Sequence, residues 1–98
     1  MTVQLAHMTW EEVKERVAKQ RMVILPTGAT EAHGPHMPTD TDTHQAEHIS
    51  IMLAERVNAV VAPAIPYAVS KTFEHFVGTV SLAIDTYQQM LYEVGGAL

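Results

Sequence analysis

Residues 22–62 read MVILPTGATEAHGPHMPTDTDTHQAEHISIMLAERVNAVVA, and the order of elements in this stretch decides the fold class. Met22–Leu25 is a short, continuous apolar run stopped by Pro26, Thr27 and Gly28. A run of this kind, bounded by turn residues, predicts a buried parallel strand that feeds a loop. From Pro26 to Thr41 the chain holds three prolines and two glycines with almost no apolar periodicity, so it reads as a long loop. Beyond it, Ala46, Ile49, Leu53 and Val57 mark one face of a helix that Thr41 or Asp42 is placed to cap. Asn58–Ala62 is a second apolar, β-branched run. Strand, loop, helix and strand in that order form a βαβ unit with a right-handed crossover.

Working outward, Thr9 and Glu12 make a capping signal, and Trp10, Val13 and Val17 recur at helical spacing through Gln20. Downstream, Pro63–Val77 is irregular, and Gly78 precedes a strand-like run, Thr79–Ala83. Asp85 with Gln88 repeats the capping signal, after which Tyr87, Met90, Leu91, Val94 and Leu98 share one helical face, with Gly95 and Gly96 as candidate stops. The expectation is a three-layer α/β/α arrangement around a mainly parallel sheet, to which residues 1–98 supply three strands and three helices of a single domain.

Composition narrows the function. A chain of 98 residues, 47% hydrophobic and 17% charged, builds one core and no more. It has no cysteine, so a metal would be held by His, Asp or Glu, of which there are 6 His and 11 acids. A formal charge of -5, with 6 scattered Lys and Arg, offers no basic stripe for nucleic acid. The N-terminus lacks the pattern of a signal peptide, and no apolar run nears the roughly 20 residues that span a bilayer. No membrane partner is expected, and a cytoplasmic protein is the default.

The loop carries the chemistry. In TGATEAHGPHMPTDTDT, residues 27–43, a carboxylate, an imidazole two residues on and a further carboxylate follow directly after a strand. Open α/β sheets place their sites there, beyond the carboxyl ends of the strands. Oxygen and nitrogen donors of this kind suit zinc, manganese or iron. Spacing alone does not separate a ligand set from a polar loop, because Glu-x-His has no unique mechanical meaning.

The whole string does more. GATEAHGPHMP followed by TDT resembles the creatininase signature, close to G-[SA]-T-E-Q-H-G-P-H-L-P and then T-D-T. Further on, YAVSKTFEHFVGTVSL resembles that family's Y-G-V-S segment and its F-P-G-T-I-S-L, with Ala68 in place of glycine, Val77 in place of proline, and His75 displaced toward Gly78. The resemblance implies a creatininase-like α/β/α fold and a metal-dependent amidohydrolase. It makes Glu31 a ligand of one divalent ion, His33 of the other, and Asp42 the carboxylate shared by both. It also implies C–N hydrolysis by a metal-activated water, with substrates such as creatinine, a formamido-pyrimidine or the mycofactocin precursor peptide, and a homo-oligomer, commonly a hexamer.

The resemblance covers the N-terminal part of that family's domain. The further histidine and glutamate ligands would come from a later Asn-Gly-His segment that these residues do not contain. A competing reading is therefore a truncated module that binds metal or assembles without catalysing.

Other polar candidates rank lower. His36 supports the ligands from behind or packs within the loop, and Asp40 is expected in solvent. His44 and His48 stand at the i, i+4 spacing that chelates metals, yet opposite the Ala46–Ile49–Leu53 stripe, so they read as a solvated or subunit-facing pair. Trp10, Tyr67, Phe73, Phe76 and Tyr87 read as core or interface aromatics.

Overall fold

The computed structural model describes residues 2–98. Helix α1 (Trp10–Lys19) starts where its capping signal predicts, with the Thr9 hydroxyl accepting from the Glu12 amide at 3.2 Å. Strand β1 (Val23–Ile24), helix α2 (Thr41–Val57) and strand β2 (Val60–Val61) follow, and β1 pairs with β2 in parallel, Val23 opposite Val60. Helix α3 (Ile84–Ala97) closes the order. No helix among the described residues is long and apolar enough to cross a membrane.

β2 is the centre of the sheet. The Val60 and Ala62 amides donate to the Met22 and Ile24 carbonyls on one side, while the Val61 amide donates to the Val3 carbonyl on the other. The N-terminal segment thus adds a short parallel partner, Gln4 against Val61, that the sequence pattern did not announce. Pairing continues past the strands, with Thr27 against Ile65, but the register slips by one residue. Pro63, which has no amide to donate, sits at the slip, as expected for an irregular step in a ladder.

Three sequence expectations need correction. The Thr79–Ala83 run forms no strand of this sheet: Val80 bridges antiparallel to Thr30, and Ser81 bridges parallel to Ala68. It therefore stitches the two loops together at the mouth of the βαβ unit. The second correction concerns caps. α2 begins after Asp40 with no side-chain cap, and Asn58, read as the start of a strand, instead ends α2 in the left-handed region (φ 59°) that Asn tolerates. α3 begins after Ala83 without a side-chain cap, and it runs through Gly95 and Gly96 to Ala97.

The third correction concerns packing. The Ile49–Leu53–Val57 stripe of α2 faces outward, with Ile49 64% and Leu53 48% exposed. The face against the sheet is Ser50 and Ala54, with Ile51 beside them, packed on Ala59, Val61, Val3 and Ile24. Ser50 lies about 100° of helix rotation past Ile49, so the face packed on the sheet stands more than a quarter-turn from the one the large apolar side chains mark. Small side chains win because they let the helix backbone approach β2 closely: Ala54 and Ala59 are both fully buried. The aromatics are not core either, since Trp10, Tyr67, Phe73 and Phe76 are exposed and Tyr87 is half-buried.

Candidate metal centre

The loop after β1 is pinned residue by residue. The Thr30 hydroxyl donates to the Pro66 carbonyl (2.7 Å), the Glu31 amide to the Thr39 carbonyl (3.1 Å), and the Ala32 amide to the Thr79 hydroxyl (2.9 Å). At Gly34 the chain turns with φ +69°, a conformation that side chains resist, and His33 and Met37 face each other across that turn. Backbone direction through Glu31 and His33 is therefore set by neighbours on both flanks.

The first turn of α2 is clamped onto the same loop. The Thr43 hydroxyl accepts from the Ala29 amide (3.2 Å) and donates to the Ala29 carbonyl (3.0 Å). Gly28 makes this approach possible, because a Cβ there would stand 2.6 Å from the Thr43 amide nitrogen and nearer still to its Cα and Oγ1. Asp42 is thereby carried to the loop on a rigid helix. Neither Thr43 nor Gly28 was singled out from the sequence as a positioning residue, although the last threonine of the TDT motif was the available signal.

Glu31, His33 and Asp42 converge. One donor atom from each lies within 4.8 Å of the others, and all three side chains are partly buried. His33 Nε2 stands 3.2 Å from Asp42 Oδ1, while its Nδ1 lies 3.2 Å from the Glu31 carbonyl oxygen. A carbonyl only accepts, so Nδ1 carries a proton and Nε2 turns its lone pair toward the Asp42 carboxylate. Two electron-rich atoms so placed call for a proton or a cation between them. The imidazole pKa is accordingly raised above its usual range, chiefly by the Glu31 carbonyl bond and further by Asp42, against partial burial that lowers it. A cation fits as well, since donors each about 2.1 Å from one ion stand roughly 3.0–3.4 Å apart.

The remaining candidates stay outside this cluster. The His36 ring lies over Gly34, where a Cβ would meet it at 3.3 Å, so it packs within the loop. Asp40 is exposed and gives only its carbonyl, to the His44 amide. His44 and His48 are exposed on α2, as expected. His75 stacks on Phe76 with ring centres 4.5 Å apart.

A family model described as creatinine amidohydrolase matches residues 6–98. The chain belongs to the creatininase family. Among curated creatininase-family relatives, it is 41% identical over 80 residues to a mycofactocin precursor peptide peptidase of Mycolicibacterium smegmatis, covering 76% of this chain and 32% of that protein. It is 36% identical over 87 residues to the creatinine amidohydrolase of Pseudomonas putida, covering 83% of this chain and 34% of that one. A crystal structure of creatinine amidohydrolase superposes with a TM-score of 0.92 at 33% identity, over 99% of this chain and 40% of the other. The fold is thus the creatininase α/β arrangement with a parallel sheet, and the chain spans about a third of the length of the curated relatives it matches. Solved creatininases of similar fold include a Zn–Zn form and a Mn form, so divalent metals belong to the chemistry of this family.

Proposed function

We propose that this chain carries a divalent-metal site made of Glu31, His33 and Asp42, and that the protein it represents is an amidohydrolase acting on a C–N bond. The observation that carries the reading is the 3.2 Å approach of His33 Nε2 to Asp42 Oδ1 while Nδ1 is engaged by the Glu31 carbonyl. That tautomer leaves Nε2 free to donate its lone pair, and the carbonyl bond holds the ring in place, as an outer partner does for a metal-bound histidine. A divalent ion bound there would acidify a water and polarise an amide carbonyl, the two tasks that C–N hydrolysis requires.

The protein's own contribution is positioning. Thr43 and Gly28 hold Asp42 at the loop, Thr39 and Thr79 fix the backbone on either side of Glu31 and Ala32, and the Gly34 turn keeps His33 facing Asp42. The 3.2 Å between His33 Nε2 and Asp42 Oδ1 suits two donors to one ion, while the spread of up to 4.8 Å among all three donors suits two ions that share Asp42, with Glu31 on the second. Zinc and manganese are the proposed metals, and the substrate is a small molecule or peptide with a hydrolysable amide. We further take the enzyme to be homo-oligomeric, a reading supported by the outward-facing Ile49, Met52 and Leu53 on α2, and cytoplasmic, as read from the sequence.

Zinc titration into metal-free protein by calorimetry tests the site. Asp42→Ala and Glu31→Gln should each weaken binding by more than the roughly 10–100-fold that loss of a supporting outer group costs. Unchanged affinity in Asp42→Ala sinks the assignment.

A further inference from the structure

Two successive peptide groups flank the Cα of Glu31, and all four of their polar ends are engaged. In the first, the Thr30 carbonyl accepts from the Val80 amide (2.8 Å) and the Glu31 amide donates to the Thr39 carbonyl (3.1 Å). In the second, the Glu31 carbonyl accepts from His33 Nδ1 (3.2 Å) and the Ala32 amide donates to the Thr79 hydroxyl (2.9 Å). A peptide group is planar and trans, so its N–H and C=O point in opposite directions and turn together. Holding the Ala32 N–H on Thr79 therefore aims the Glu31 C=O at the His33 ring. Val80 and Thr39 hold these peptides through backbone groups, which almost any residue supplies, and His33 is itself a proposed ligand. The remaining partner, Thr79 Oγ, is a half-buried side chain 47 positions along the chain from Ala32.

We propose that Thr79 is a positioning residue of the metal centre: by accepting from the Ala32 amide it fixes, through the shared peptide, the Nδ1–H tautomer of His33 and so presents the Nε2 lone pair beside Asp42. The proposal rests on the metal-site reading and deepens it by naming what selects the ligating form of the ring. The relay runs from His33 Nδ1–H to the Glu31 C=O, and from the Ala32 N–H of the same peptide to Thr79 Oγ. Each bond polarises that peptide and strengthens the other. The site also contains the competing form. With its proton on Nε2, the neutral ring would donate to Asp42 Oδ1, 3.2 Å away, and would have no lone pair there for a metal. The Glu31 carbonyl opposes that form only while it stays aimed at Nδ1. A metal-bound histidine is commonly held by a carbonyl on its other nitrogen, and here that carbonyl is in turn held by Thr79.

The test uses the full chain, ¹⁵N-labelled at histidine and free of metal, in mildly alkaline solution where the imidazoles are neutral. Ring-nitrogen shifts then report which nitrogen carries the proton. The parent and Thr79→Ser, which keeps the acceptor oxygen, should hold His33 as Nδ1–H. Thr79→Val, which removes the acceptor, should move His33 toward Nε2–H while the signals of His44 and His48 stay in place. Zinc affinity by calorimetry should fall about tenfold in Thr79→Val and by less than about twofold in Thr79→Ser. An Nε2–H ring in the parent overturns the proposal. So does a Thr79→Val protein that unfolds more readily yet keeps the parent's tautomer and affinity, since Thr79 is then a structural stitch alone. Thr79→Ala reads the same bond with the same expected outcomes should the valine variant fail to fold. Zinc affinity of Asp42→Ala, measured in parallel, reports on the metal reading alone, so the two can fail separately.

Discussion

Gly28→Ala isolates the contact on which the site's geometry depends. The added Cβ would stand 2.6 Å from the Thr43 amide nitrogen, whereas ordinary contact begins near 3.4 Å, so α2 and the loop must separate by at least about 0.8 Å. Neither side is a flexible tip: the obstacle is helix backbone. Forcing one methyl group into such a space costs about 1–3 kcal/mol. The same separation stretches the two Thr43–Ala29 hydrogen bonds, 3.0 and 3.2 Å, each contributing about 0.5–1.5 kcal/mol. The expected loss of stability is therefore about 2–4 kcal/mol, read from urea unfolding. Because Asp42 precedes Thr43, the displacement also carries its carboxylate away from His33, and zinc affinity should fall at least about tenfold. Thr43→Val separates the two effects by removing the hydrogen bonds without adding a clash, at about 1–3 kcal/mol. If Gly28→Ala unfolds within about 0.5 kcal/mol of the parent and binds zinc equally well, the clamp does not set the site.

Other consequences are smaller but as definite. Without metal, His33 should titrate above its usual range, and Asp42→Asn should lower the midpoint only in part, since the Glu31 carbonyl bond is the larger cause; a ring-proton NMR titration reads both. The sign follows: a raised folded-state pKa stabilises the metal-free fold below the imidazole's unfolded pKa, and this is lost as pH rises through the folded value. Metal competes with that proton, so zinc binding should weaken as pH falls through the same value; pH-independent affinity contradicts His33 as a metal ligand. On α2, exposed Glu55→Lys should change stability within about 0.5 kcal/mol while Ala54→Leu costs about 1–3 kcal/mol by overpacking, and the reverse order in thermal unfolding refutes the packing face described above. Thr9→Ala should cost about 1 kcal/mol through loss of the α1 cap, measurable by the same unfolding curve.

The βαβ unit was readable because its periodicity changes cleanly: an apolar run at Met22–Leu25, a Pro- and Gly-rich loop, a helical repeat and a second apolar run at Val60–Ala62. The orientation of α2 was not readable by the same means. A hydrophobic face chosen by side-chain size selects Ile49 and Leu53, whereas close approach to β2 selects Ser50 and Ala54, a demand imposed by tertiary packing. The Thr79–Ala83 run had the composition of a strand, but its partners are single residues of two loops, Thr30 and Ala68, and no local pattern specifies those. At the site, the long GATEAHGPHMP…TDT string pointed to Glu31, His33 and Asp42, and the fold brings their donors within reach of each other. What lay beyond the sequence was the clamp, because contact between Gly28 and Thr43 exists only once the helix has docked.

The central claim is that these three side chains hold a divalent cation, and anomalous diffraction at the zinc edge from crystals of the zinc-loaded chain tests it directly. The account predicts a peak in bonding distance, about 2.0–2.2 Å, of His33 Nε2 and an Asp42 carboxylate oxygen, with any second peak reached by Glu31. A peak at the exposed His44–His48 pair with none at His33 and Asp42 would contradict it.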